Sequence, residues 1–507
     1  MKLNASYNPC RCCQAPVCNP GALTRRGLLT GAAGASLFPA MRLGALAAES
    51  GRQAPVRTPL KVQPVLVYDV PKRVEARSWR NWGAVHTEQD AAQEQGRIQR
   101  EIAALASPAV EFMPLAAIKT VNEAGKIAQG PQDLTLVYAA GGSVRTHEVL
   151  APPSKWTIMF VRHRSGPVYL WYEIAHPRFL RKTVDEYGQP GMDEQDVVVD
   201  SQSELQWRLR SLAGLKNTLG KRIVALGGAG GWGAGGRKAA ESSRNVFKLD
   251  IQTVSYADLG EMIKKARANE AIVKKAQADS EAYLKQKGTT LETKREFVTN
   301  SFILTEVFQQ VLDQTQTDCM TINQCMSTIM PLSETTACMP LSLLNDKGYM
   351  AFCESDFVVI PAGILLHHIS GRPVFLNDPT YPHDGVVTLA HCTAPRKMDA
   401  DRVEPARIVT HFESDYGAAP KVEMRKGQHV TTLDPDFNFK RWVAFEGEIA
   451  GAPFLPICRS QIDVAFKGSN DTLVKDMKGF HWMTCYGSYV RESGYALKKI
   501  GIELQIV

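Results

Sequence analysis

Residues 353–392 read C-E-S-D-F-V-V-I-P-A-G-I-L-L-H-H-I-S-G-R-P-V-F-L-N-D-P-T-Y-P-H-D-G-V-V-T-L-A-H-C, and the texture of the chain changes within them. Upstream, apolar β-rich runs alternate with helical patterns: V-Q-P-V-L-V-Y at 62–68, a helix over Gln89–Ala106, L-T-L-V-Y-A-A at 134–140 and W-T-I-M-F-V at 156–161. A second set follows, with V-Y-L-W-Y-E-I at 168–174, a helix near 202–213, K-R-I-V-A-L at 221–226 and V-F-K-L-D-I at 246–251. Alternation of this kind predicts parallel sheets with crossover helices. Residues 256–316 read as helices, with Lys264, Lys265, Lys274 and Lys275 on a solvated face and Ser301–Leu312 on a buried one. After about residue 370 the pattern becomes short strands and turns (P-V-F-L, V-V-T-L-A, A-R-I-V-T-H, H-V-T-T-L, W-V-A-F-E-G-E-I-A), which predicts an antiparallel β-rich, barrel-like domain. A last helix within 486–499 and a final strand G-I-E-L-Q-I-V close the chain.

The same stretch sets carboxylates beside apolar runs. Glu354 and Asp378 are costly to bury there unless they are paired, protonated or bound to a cation. With His391 and His481 they make a set of hard oxygen donors and imidazoles, which suits Mn²⁺ or Mg²⁺ better than zinc. His367, His368 and Cys353 read as core residues.

With 507 residues, 44% of them apolar, the chain has enough length for two to four domains. The expected division is 1–48, 60–160, 161–368 and 369–507. The first segment carries Thr24-Arg25-Arg26-Gly27-Leu28-Leu29, an apolar run to Met41 and small residues at Ala45, Ala47 and Ala48, which resembles a twin-arginine export signal. The run is shorter than the roughly 20 residues a spanning helix needs, so export to the periplasm or beyond is expected rather than a membrane anchor. The formal charge of +7 owes much to Lys2, Arg11, Arg25, Arg26 and Arg42 in this segment; without it, 54 basic residues face 52 acidic ones. That balance gives no reason to expect a nucleic acid or an anionic membrane as partner. Four of the 11 cysteines lie before the arginines, and the other seven are scattered, which reads as buried thiols rather than a disulfide framework.

A competing motif is Gly228-Ala229-Gly230-Gly231-Trp232-Gly233, a G-x-G-x-x-G after the strand K-R-I-V-A-L, with Asp250 expected at the end of the next strand. Read as a dinucleotide fingerprint it implies an exported NAD(P)-dependent oxidoreductase. Read as a glycine-rich turn, it lets backbone approach a neighbouring element or a sugar. Trp232 would crowd a pyrophosphate.

Two blocks, C-E-S-D…L-L-H-H-I-S-G…F-L-N-D-P-T-Y and G-F-H-W-M-T-C-Y-G-S-Y-V-R-E-S-G-Y-A-L-K-K-I-G-I-E-L, resemble the metal-binding segment and the C-terminal histidine segment of L-fucose isomerases. The resemblance, extended over residues 60–507, implies two flavodoxin-like α/β domains followed by the β-rich domain. It implies a Mn²⁺ site made by Glu354, Asp378 and His481, with Glu354 and Asp378 also serving as the catalytic acid/base pair of an aldose–ketose isomerase. It further implies a small-molecule sugar as substrate and a homo-oligomer. His391 and Trp482 are the expected sugar contacts, with Tyr486 as another aromatic able to stack on a sugar. Where the family has an asparagine before the histidine, this chain has Phe480. A non-catalytic sugar-binding or divergent lyase-like protein is the remaining alternative.

Overall fold

The computed structural model describes residues 57–180 and 188–507; the twin-arginine segment and its four cysteines lie outside them. Two parallel sheets come first. In the first, β1 (Leu60–Val67), β2 (Val110–Phe112), β3 (Ala116–Ile118), β4 (Leu134–Ala139), β5 (Trp156–Val161) and β6 (Val197–Val199) run in the order β2-β1-β4-β5-β6, with β3 on the far half of β1. Every residue of β4 is buried, as expected for a strand covered by helices on both faces. The second sheet holds β7 (Arg222–Leu226) and β8 (Asp250–Val254), then, after β9 (Thr289–Leu291) has gone elsewhere, β10 (Cys319–Ile322) and β11 (Met350–Phe352). Its order is β11-β10-β7-β8, all parallel.

The remaining strands are β12 (Phe375–Pro379), β13 (Val386–His391), β14 (Ala406–Val409), β15 (Ala419–Val422), β16 (His429–Asp434), β17 (Arg441–Gly451), β18 (Ser460–Phe466), β19 (Trp482–Tyr486) and β20 (Glu503–Ile506). Six of them form a closed antiparallel barrel in the order β16-β19-β12-β13-β18-β17, sealed by the pairing of β16 with β17. Closure removes the edges on which an antiparallel sheet would otherwise aggregate. β20 adds in parallel along the first residues of β17, while β14 pairs with β15 on one side and with β9 on the other. The barrel core is Phe375, Val387, Leu389, Val430, Phe445, Ile462 and Trp482, among others.

Two local expectations change. Residues 168–174 do not form a strand: Trp171–Ile174 is helical and continues as a π-helix over Ala175–Leu180. The place beside β5 is taken by β6, and the aromatics are drawn down onto the core of the first sheet instead, Tyr169 donating from its hydroxyl to Glu94 Oε1 (2.7 Å) and Trp171 from Nε1 to the Gly142 carbonyl (3.3 Å). The strand expected at 246–251 starts later, because a helix runs on to Val246 and β8 begins only at Asp250.

Candidate metal centre

The chain leaves β7 through the glycine-rich turn and leaves β11 through Cys353-Glu354-Ser355-Asp356. Both turns lie at the carboxyl edge of the second sheet, next to β7, where the chain passes from β8 on one side to β10 on the other. A crevice at such a reversal is where open α/β sheets place ligands. The turns are joined: Gly230 and Asp356 form a parallel bridge, Gly230 N–H donates to the Ser355 carbonyl (3.3 Å) and Phe357 N–H to the Gly230 carbonyl (3.2 Å). The motif therefore braces a carboxylate turn by close backbone approach, the second of its two readings. Its acid is also misplaced for a nucleotide. Asp250 opens β8 opposite Arg222, at the amino edge, and its carboxylate pairs with that arginine (2.6 Å), while the glycines follow Leu226 at the carboxyl edge. An acid for a ribose hydroxyl would have to end the strand, not begin it.

Glu354 sits in this turn with φ of 61°, and Ser355 follows with φ of 48°. Two successive non-glycine residues in the left-handed region cost on the order of 1–3 kcal/mol each, a strain that collects at ligand-holding turns. Ser355 N–H is held by Thr321 Oγ1 of β10 (3.1 Å), which keeps the turn in place. The effect is to aim Glu354 away from the sheet and toward the barrel.

Three adjacent barrel strands present the other groups. Asp378 lies on β12 and His391 ends β13, opposite Ala390 and Ser460 in their respective ladders; His481 directly precedes β19. His481 Nε2 stands 3.3 Å from Glu354 Oε2 and 3.2 Å from Asp378 Oδ1, and His391 Nε2 lies 3.6 Å from Glu354 Oε1. His481 and His391 are buried, whereas the Glu354 and Asp378 side chains keep 22% and 19% exposure, which leaves the carboxylates open to an approaching molecule. His391 is oriented through Nδ1 by Thr393 Oγ1 (3.0 Å).

Asp356 was not among the expected site residues, and it organises the centre. Its Oδ2 lies 2.8 Å from His481 Nδ1, while Oδ1 accepts from Trp232 N–H (3.1 Å) and Val358 N–H (3.1 Å). A carboxylate behind a histidine fixes the ring's tautomer and leaves the other nitrogen bare for a cation. Its only sequence signal was position, two residues beyond Glu354 in the same C-E-S-D.

Electrostatics follow from this packing. Burial opposes charge on Glu354, but His481 and His391 outweigh it and bring its carboxyl down to about 2. Burial pushes Asp378 up to about 6, against the pull of the same histidines. For His481, burial disfavours the imidazolium, yet Glu354, Asp356 and Asp378 raise it well above the ordinary histidine range. These are groups that contend for protons in place of a cation.

Several His, Cys, Asp and Glu clusters here have donor atoms close enough to hold a metal ion, among them Asp378, His391 and His481, and Cys353, Glu354 and His391. The fit to a divalent ion rests on two atoms. Asp378 Oδ1 and His481 Nε2 are buried, have no hydrogen-bond partner, and face one point beside Glu354. Buried polar atoms are rarely left so.

Trp482 is corrected. It faces the opposite side of β19 from His481, fully buried in the barrel core near Phe445 (ring centroids 5.9 Å), so no face of it can meet a sugar. Tyr486 is likewise buried. The aromatic wall of the site is made instead by Trp232 and Phe480, part-exposed and stacked at 4.0 Å and 8°, with both rings edge-on to His481. No protein-family model matches the chain, and no curated protein matches it.

Proposed function

We propose that this protein is a divalent-metal-dependent aldose–ketose isomerase, with Mn²⁺ the preferred ion. The observation that supports this most is the meeting of Glu354, Asp378 and His481, from a sheet turn, a barrel strand and the residue before another, around buried atoms that make no hydrogen bond. An ion held by these three residues supplies Lewis-acid stabilisation for charge on adjacent sugar oxygens. The chain's own work is proton transfer and positioning. The two carboxylates flank C1 and C2 of an open-chain aldose: one withdraws the C2 proton, the other provides a proton at C1, and a proton passes from O2 to O1. The result is a ketose through a cis-enediol. His391 is placed to hydrogen-bond a sugar hydroxyl, and the Trp232–Phe480 wall to cover an apolar sugar face. On this reading the parallel sheets are flavodoxin-like units, and the protein is exported and acts as a homo-oligomer. The nicotinamide alternative loses ground because its ribose acid is at the wrong edge of the sheet.

The test is a panel of aldoses with and without Mn²⁺, with product formed in deuterated water. Solvent deuterium at C1 of the ketose is expected, since an enediol exchanges its proton. No turnover on any aldose at saturating metal would refute the reading, and turnover with no exchange would replace the enediol by a hydride shift.

A further inference from the structure

Next to His391 in the chain, two of the seven cysteines in the described residues meet a histidine, and a third packs against them. Cys338 opens the helix Cys338–Asp346, Cys392 directly follows β13, His411 lies just past β14, and Cys458 lies in the turn before β18. The donor atoms of Cys338, Cys392 and His411 are all within 4.8 Å of one another and all three residues are buried. Cys458 packs against the same cluster. All four come from separate segments, and Cys338, Cys392 and Cys458 are free thiols.

A peptide donor reaches one of the sulfurs, and the loop that carries it is anchored beside His411. Arg459 N–H donates to Cys392 Sγ (3.4 Å), and the Arg459 guanidinium is tied to Thr410, the neighbour of His411, through the carbonyl (2.7 Å) and Oγ1 (3.1 Å). His411 Nδ1 is engaged by Ser414 Oγ (3.0 Å), so Nε2 is the nitrogen left for an ion, and the partner on Nδ1 is the kind that orients a metal-bound imidazole.

We propose that Cys338, Cys392, Cys458 and His411 form a tetrahedral zinc site distinct from the carboxylate centre. Three sulfurs and one imidazole are a donor set that selects zinc over the hard ions suited to Glu354 and Asp378. Binding releases the three thiol protons, and the resulting net charge of about −1 is met in part by the Arg459 peptide N–H on Cys392. Because Cys392 directly follows His391, this ion would tie the start of one helix and three loops to the end of the strand that carries His391. The inference does not rest on the isomerase reading.

The full chain, produced in cobalt-containing medium low in zinc, should show thiolate-to-cobalt charge-transfer bands and intense tetrahedral d–d bands. The zinc form should retain about one zinc per chain after dialysis against EDTA. Asp378→Asn should keep the bands, while Cys392→Ser and Cys458→Ser should lose the charge-transfer intensity. If a serine variant fails to fold, the wild-type spectrum and zinc content decide alone. Absence of thiolate–cobalt bands in the wild type, copper in place of zinc, or a disulfide between any two of the three cysteines in peptide mapping would overturn the site.

Discussion

His481 donates from Nδ1 to Asp356 Oδ2 across 2.8 Å, and this one bond decides which nitrogen the ring turns toward Glu354 and Asp378. An ionised carboxylate can only accept, so a hydrogen stays on Nδ1, and Nε2 is the nitrogen that gives up its proton and presents a lone pair when a cation binds.

Replacing Asp356 by asparagine keeps an acceptor for Trp232 and Val358 but removes the preference for that tautomer. Mn²⁺ affinity should fall about 10–100-fold, the usual effect of losing an outer partner of a ligand histidine, with little change in Tm. Calorimetric titration of wild type and Asp356→Asn with Mn²⁺ measures it; equal affinities would dismiss Asp356 as an organiser of the centre.

The two central glycines of the braced turn should behave differently. A methyl group on Gly231 would collide with the Gly236 carbonyl oxygen and come within 2.8 Å of Ala239 Cβ, whereas one on Gly230 meets nothing nearer than the Ser355 carbonyl oxygen at 3.8 Å. Gly231→Ala should therefore lower Tm and weaken Mn²⁺ binding, and Gly230→Ala should do neither. Comparable Tm values for both variants would mean that the turn does not brace Asp356.

Phe480 stacks on Trp232 at the mouth of the site. An aromatic stack of this kind contributes about 0.5–1.5 kcal/mol, so Phe480→Ala should reduce kcat/KM for the sugar by up to about 10-fold. The loss should appear in KM, with metal affinity kept. Steady-state kinetics at saturating Mn²⁺ separate the two, and an unaltered KM would remove the wall from the binding site.

Asp434 governs a pH dependence of stability. It accepts from Lys478 N–H (2.6 Å) and Gly479 N–H (2.7 Å), yet burial lifts its carboxyl to about 8. A folded value above an unfolded one of about 4 means that the native chain keeps a proton which the unfolded chain has released. Stability from this group therefore falls as pH rises from about 4 to about 8 and is level beyond. Asp434→Asn should flatten that descent in Tm scans taken across the window; an unchanged slope would assign the dependence to other groups.

The alternating strands and helices and the turn to short antiparallel strands near residue 370 were legible because period and composition are local properties. The barrel itself was expected, but the pair of strands that closes it was not legible, since nothing in H-V-T-T-L or W-V-A-F-E-G-E-I-A states that those strands pair with each other. Residues 168–174 carry the composition of a strand, yet the fate of Tyr169 and Trp171 was set by Glu94 and the Gly142 carbonyl, which lie 75 and 29 residues earlier in the sequence. At the site, Glu354, Asp378, His391 and His481 stood out as polar groups among apolar neighbours. Asp356 did not, because a histidine's supporting carboxylate is recognisable only once the histidine, 125 residues later, has come to it.

The pairing of β9 with β14 has a consequence for how the chain can be divided. Thr289–Leu291, well before the barrel, hydrogen-bonds in register with Ala406–Ile408, inside the excursion between β13 and β16. A fragment starting at residue 369 would lose that partner and carry β14 as an open edge, while the complementary fragment would keep a three-residue strand with nothing to pair with. The two portions are stitched to each other in space across their order in sequence, so neither half should be soluble by itself, and coexpressed halves should find one another.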